Sequence, residues 1–415
     1  MKSYIERQSL IPRILVFAGL GLAAAPALAQ SSVTLYGVVD DSIIYQSSQS
    51  TLGSTSGGRS NIKMVSGIWW GDRWGIKGAE DLGGGTKVNF QLESGFNIAT
   101  GGQQFTNAMF GRQAWIGGSN PEYGSLTIGR QYTPYYTLVT APYGPTLWLT
   151  GGIGAHPGDL DQMDLDYRAN SSLVYVSPKF YGVTVGASYS LAGVPGSIYS
   201  GSTWSGALQY ASGPLGIGAA FERINNSTSG GGVFGTDSTT TTGGQSGVSA
   251  VTNGYQGAQA QQRFAVAGLW TFNSSWDVSV SYSNVQYIPG INSKFSDTAV
   301  FNTEGAVLHY KALRDLDLAG GYSYTRASKA NGITSAAQYQ QVTLSQYYTL
   351  SKRTGLYALQ AYQRANGNTL GTPSFGTATA TPQINATAAM GDAFQSTPSS
   401  SRSMVAVVFG IIHHF

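Results

Sequence analysis

Beyond about residue 30, polar and apolar positions alternate with a period of two, the signature of strands with two unlike faces. Leu318, Gly320, Tyr322 and Tyr324 alternate with Asp317, Ala319, Gly321, Ser323 and Thr325. Val278, Val280 and Tyr282 alternate with Ser279, Ser281 and Ser283, and Val183, Val185, Ala187 and Tyr189 with Thr184, Gly186, Ser188 and Ser190. Phe264, Val266, Gly268, Trp270 and Phe272 oppose Ala265, Ala267 and Thr271. One face is aromatic and apolar, the other small and polar. Alternation alone leaves open which of them meets water.

The connections decide that question. Pattern counting predicts about 16 strands, joined alternately by tight and long connections. The tight ones are Glu80–Gly85, Ser119–Gly124, Ser177–Gly182, Ala211–Gly216, Asn273–Ser275, Arg314–Asp317 and Lys352–Gly355, each holding residues suited to a turn. Long connections fall at 46–70, 97–108, 133–166, 191–203, 224–261, 288–301, 327–338 and 365–402. Short turns at one end, long loops at the other and an even strand count predict an all-β fold, a transmembrane antiparallel β-barrel with aromatics toward lipid and a polar lumen. A sandwich would mix loop lengths at both ends.

Composition agrees. Only 10% of the 415 residues are Asp, Glu, Lys or Arg, against a usual ~25%. Gly supplies 56 residues and aromatics 12%, and no segment after the first 30 residues has the ~20 consecutive apolar residues of a spanning helix. The absence of cysteine excludes a disulfide scaffold, thiolate zinc sites and cysteine nucleophiles. Residues 1–29 read as a cleaved export signal: Lys2, Arg7 and Arg13 precede an apolar run from Ile14 to Leu22, and Ala27-Leu28-Ala29 forms the cleavage site. Residues 30–415 are then one barrel domain, with 20 basic and 19 acidic residues. Near-neutrality argues against nucleic-acid binding.

No catalytic constellation is legible. The four histidines, His156, His309, His413 and His414, form no His-Glu-x-x-His motif, and no Gly-x-Ser-x-Gly elbow or phosphate-binding loop occurs. Neither an enzyme, a metal nor a cofactor is expected. The low-complexity stretches 225–260 and 371–400 read as flexible filler, with exposed recognition as their functional alternative.

Strand parity places the charges. Trp74 and Ile76 share a face, leaving Arg73, Gly75 and Lys77 on the other; Glu93 goes with Lys87, Asn89 and Gln91. Trp115 has the parity of Gly111 and Gly117, which groups Arg112 with Ala114 and Ile116, and Arg168 goes with Asn170 and Ser172. With aromatics toward lipid, Arg73, Lys77, Arg112, Arg168 and Glu93 project into the lumen. A charge on the lipid face would cost ~2–4 kcal/mol at mid-membrane. Arg130 is the exception, sharing parity with Leu126 and Ile128.

From Ser32 to Phe415 the chain resembles the general diffusion porins of Gram-negative bacteria, in particular the β-proteobacterial type. The segments that carry the likeness are Val33 to Asp40, Arg73-Trp74-Gly75-Ile76-Lys77-Gly78-Ala79-Glu80-Asp81-Leu82-Gly83-Gly84-Gly85, Phe90 to Phe96, Gly129-Arg130-Gln131-Tyr132 and the final aromatic Phe415. The resemblance implies a 16-stranded outer-membrane barrel in a homotrimer, contacting lipid and lipopolysaccharide, with the third long loop folded into the lumen. It further implies that Arg73, Arg112 and Arg168, with Lys77 beside them, form the basic ladder of the constriction, and that Arg130 faces the trimer interface. Phe415 would be the signal read by the barrel assembly machinery.

The chain also departs from the family. The inward loop has no carboxylate until Asp159, followed by Asp161, Asp164 and Asp166, and its segment Pro142 to Leu149 is neutral and aromatic. Val38 and Ile412 stand where relatives often have Lys and Arg. The expected function is passive diffusion of small hydrophilic solutes and ions with anion preference. The alternatives are a channel specific for sugars or aromatic or organic acids, using Tyr132, Tyr135, Tyr136, Tyr143 and Trp148, and a non-conducting adhesin or phage-receptor barrel.

Overall fold

The computed structural model describes residues 32–105, 107–164, 167–226, 249–291, 293–371, 383–392 and 398–415. The proposed signal 1–29 therefore lies outside the described residues. Period-two alternation becomes one closed antiparallel sheet of 16 strands. The first is Ser32–Gln49; the second runs in two pieces, Arg59–Ser66 and Arg73–Gly83. Thr86–Gly95, Gln113–Asn120, Gly124–Gln131, Ala169–Val176, Val183–Ser190, Thr203–Ser212 and Leu215–Asn225 follow. The remainder are Ala260–Thr271, Trp276–Ile288, Ala299–Leu313, Leu316–Ala327, Gln338–Thr349, Thr354–Asn366 and Ser403–His414.

Closure comes from the first strand meeting the last, from Val38↔His414 to Gln46↔Ala406, and Phe415 exchanges two 3.1 Å backbone hydrogen bonds with Gly37. A closed ladder leaves no unpaired edge in lipid. Val280, Tyr322 and Phe409 lie on the exposed outer face, while Ser279, Ser283, Thr325 and Ala406 turn inward and are buried. Tyr322 and Phe409 thus face lipid, as expected, whereas Tyr287, Phe301, Tyr339 and Tyr357 are buried.

One wall of the lumen is apolar. Val38, Ile44, Val408 and Ile412 point inward and are covered by Ile153, Ala388 and Met390 from two long loops. The two apolar departures from the family pattern, Val38 and Ile412, belong to this dry contact.

The first long connection is shorter than expected. Residues 59–66 pair with the first strand from Asp41↔Ser66 outward, so about half of 46–70 is sheet and the loop itself is 50–58. The interruption after Ser66 replaces it as the irregular feature. Only Val39 and Asp40 of the first strand span the gap opposite Gly67–Asp72, because pairing resumes at Val38↔Arg73. The extra residues bulge into the lumen. Asp40 holds them, its carboxylate accepting the Trp69 and Trp70 N–H groups at 2.6 and 2.8 Å and the Tyr357 hydroxyl at 2.5 Å. Asp72 accepts the Asp40 N–H at 2.5 Å and the Ser66 hydroxyl. At Gly67 (φ +74°) a Cβ would lie 2.9 Å from Gly71 Cα, so the bend requires glycine there.

Candidate functional site

The segment 133–164 leaves the wall after Gly124–Gln131 and crosses the lumen as a run of short helical turns between Tyr135 and Asp159. The polar inward face of the sheet supplies its fastenings. Gln209 donates to the Leu138 carbonyl at 2.9 Å, Ser279 to Tyr143 at 2.5 Å, Ser345 to Trp148 at 2.6 Å and Gln341 to Ile153 at 2.8 Å. Near its return, His156 Nδ1 lies 2.6 Å from Asp161, whose same oxygen accepts the Ser283 hydroxyl at 2.5 Å. Burial pushes the Asp161 carboxyl up, but His156 and these hydrogen bonds outweigh it and hold it below the usual carboxylate range.

Two further loops close over this one. Gly158 N–H donates to Ala389 at 2.7 Å, and a Cβ on Gly391 would sit 2.0 Å from the Gly152 carbonyl. Ser249, Val251 and Tyr255 are buried, and Val251 and Tyr255 pack with Leu160. The described parts of 225–260 and 371–400 are therefore packed structure rather than the filler expected. Residues 227–248, 372–382 and 393–397 of those stretches lie outside the described residues.

The basic residues converge beside this plug. Arg112 Nε is 2.8 Å from Glu93, and its other nitrogens reach Gln104 (3.2 Å) and the Tyr132 hydroxyl (3.3 Å). Arg168 donates to the same hydroxyl at 2.7 Å and covers the Tyr132 ring at 4.7 Å. Arg73 donates Nε to the Gly71 carbonyl at 2.9 Å and lies 5.5 Å from the Trp70 ring centroid. Lys77 stands over Tyr36, which donates to Glu93 at 2.9 Å. Arg73, Arg112 and Arg168 line a cavity of about 220 Å³, whose lining also includes Tyr136, Asp164 and Asp392.

Arg112 arrives by a different route from the parity reading. The register Gln91↔Trp115 puts Trp115 on the inward face with Glu93 and Gln113, while Ile116 is exposed on the outside. Alternation within this strand would send Arg112 outward with Ala114. It reaches the lumen because it precedes the strand Gln113–Asn120, where the backbone is free of the pleat.

The remaining candidates divide. Asp159 and Asp161 are fully buried structural acceptors, Asp164 lines the cavity, and Asp166 lies outside the described residues. Tyr135 and Tyr143 are buried against the wall, so they form no aromatic track with Tyr132, Tyr136 and Trp148. Arg130 pairs with outward-facing Ala114 and folds its guanidinium onto the Gly111 carbonyl (2.7 Å) and Asn170.

The sheet is a closed barrel crossed by an inward loop, and Arg and Asp side chains line one cavity beside that loop. The Gram-negative porin family model matches residues 16–368. The chain belongs to the Gram-negative porin family. An outer membrane porin protein of Bordetella pertussis is 30% identical over 226 residues, spanning 49% of this porin and 57% of that protein. Outer membrane porin protein 32 of Delftia acidovorans is 27% identical over 371 residues, 84% of this porin and 89% of its own length. Among solved structures, an anion-selective porin from Comamonas acidovorans shares the fold with a TM-score of 0.65 at 20% identity, covering 93% of this porin and 100% of that chain. This porin is accordingly an outer-membrane β-barrel of a channel family rather than an enzyme family.

Sequence reasoning missed Asp392, Trp69 and Trp70. Asp392 lies in a stretch whose composition gives no structural signal. The two Trp residues follow Gly67 and precede Gly71 and Asp72, a glycine-flanked pair that breaks strand alternation and could have marked the bend.

Proposed function

We propose that this porin is a water-filled channel for passive diffusion of small hydrophilic solutes and ions, with a preference for anions. The carrying observation is the cluster of Arg73, Arg112 and Arg168 on one cavity. With Lys77 they supply four positive charges, against three negative charges from Glu93, Asp164 and Asp392. Confined charge beside low-dielectric walls acts on passing ions more strongly than in bulk water. The anion-selective Comamonas relative supports the sign of the preference. We extend the reading to a homotrimer with Arg130 on the subunit-facing side, contacting lipid and lipopolysaccharide, and to 1–29 as the export signal.

Reconstitution in a planar bilayer under a KCl gradient tests this. Stepwise ohmic openings with an anion-directed reversal potential are expected. A cation-directed potential would transfer control to the acidic side, and no conductance at all would favour a loop-mediated adhesin or phage receptor.

A further inference from the structure

The Arg-lined cavity has a neighbour that shares part of its lining. Trp69, Trp70 and Leu147 line it and also line a second cavity of about 270 Å³, completed by Trp148, Tyr347, His309 and His414 among others. An apolar cavity of about 150 Å³ suffices for benzene. The slot is therefore roomy enough for one aromatic ring.

Its chemistry is selective. Trp69 is packed between Tyr347 and Tyr357, with ring centroids 4.9 and 5.3 Å away, which fixes the bend side of the slot. Trp148, from the inward loop, stacks on His309 at 3.5 Å and 5° and donates its indole N–H to Asp277 at 3.0 Å. Trp70 is more than half exposed. The acidic groups here already have partners: Asp277 and Asp317 both contact His309, at 2.8 and 3.0 Å, and Asp317 also faces Lys311 at 3.6 Å. Ser345 is engaged by the Trp148 carbonyl. A sugar would need such acceptors unengaged around the slot, and a cationic ring would need a free carboxylate. The His414 ring also borders the slot and packs edge-on against Trp70 at 5.4 Å; a cation with unengaged donors stands at the other end. With Nε on Gly71, Arg73 makes no further hydrogen bond among the described residues, which leaves the two terminal nitrogens that a carboxylate takes in a fork.

We propose that these adjoining cavities form a binding subsite for small aromatic carboxylates, the carboxylate on Arg73 and the ring in the slot between Trp70 and Trp148. The proposal rests on the reading of the lumen as a conducting path and gives that path a preferred solute class. The site holds a ring long enough to favour its entry, while water on both sides lets it leave.

The test is single-channel recording in KCl with benzoate, cyclohexanecarboxylate or acetate added to one side. Benzoate should interrupt the current in a saturable way, cyclohexanecarboxylate, of equal charge but not flat, less so, and acetate not at all. Trp70→Ala should weaken the benzoate effect roughly 3- to 10-fold, as for the loss of one aromatic contact, and Trp148→Leu should act in the same direction. Equal effects of all three acids, or benzoate interruptions unchanged in both variants, would overturn the site. The KCl reversal potential in the same membrane judges the conduction reading separately. Should conduction be absent, tryptophan fluorescence of the detergent-solubilised porin titrated with benzoate still decides: saturable quenching reduced in Trp70→Ala supports the site, and linear quenching overturns it.

Discussion

Arg73→Gln isolates one charge of the constriction with little structural cost, because Arg73 bonds only the Gly71 carbonyl and lies over Trp70. The lost cation–π contact is worth ~0.5–1 kcal/mol, too little to unfold a barrel. The electrostatic effect follows from the size of the cavity. About 220 Å³ of space puts a transiting ion roughly 6 Å from the guanidinium, where a unit charge in water's dielectric is worth ~0.7 kcal/mol. With a Debye length of ~10 Å at 0.1 M salt, about 0.4 kcal/mol survives screening. Removing the charge lowers chloride occupancy by a factor of ~2 and raises potassium by the same factor, a roughly 4-fold fall in the chloride-to-potassium permeability ratio. Reversal potentials of wild type and variant under a fixed KCl ratio, near 0.1 M and near 1 M, measure it. The difference should shrink at high salt, where the Debye length is ~3 Å. A change below twofold at low salt, or one that grows with salt, would refute the assignment of Arg73 to the field of the pore.

Three other perturbations probe the plug and its supports. The carboxyl of Asp161 is held below its ordinary value when folded, so its contribution is present above the unfolded pKa of ~3.9 and lost as pH falls through the lower folded value. Gating noise should stay constant from pH 8 to 5 and rise only below about pH 4, whereas Asp161→Asn should be noisy at neutral pH; noise onset of the wild type near pH 6 would contradict this. Glu222→Gln strands Arg263, which it contacts at 2.6 Å with both side chains buried, and should cost about 3–5 kcal/mol, read as a lower heat-unfolding temperature on semi-native gels. Gly391→Ala places a methyl 2.0 Å from the Gly152 carbonyl at a φ of +74°, and should part the two loops, raising single-channel conductance while costing ~1–3 kcal/mol of stability.

The barrel was legible because lipid and water impose opposite demands on successive residues, and strands such as Val278–Ser283 carry that contrast unambiguously. Arg73, Lys77 and Glu93 were placed by the same parity, since each lies within a regular strand. Parity failed at Arg112 and Trp115. An aromatic was assumed to face lipid, yet the neighbouring strand pairs Trp115 with the lumenal Gln91, and only register, a non-local property, shows it. The loops were illegible for another reason. Ala386–Asp392 is buried by contact with Gly152 and Gly158, so its order depends on a surface more than 200 residues away in sequence, not on its own composition. Asp392 joined the Arg-lined cavity by that route. The bend at Gly67–Asp72 was hidden by its place next to an expected loop.

That bend changes what the inward loop is for. In a smooth cylinder, excising the loop would restore the full width of the barrel. Here Trp69 and Trp70 stand on a sill built into the staves themselves, anchored by Asp40 and Asp72, with Ile68 beside them packed on Ile153 of the inward loop. The aperture therefore has one jaw that can be cut away and one that is part of the sheet, so a loopless porin would remain narrowed on the Trp side.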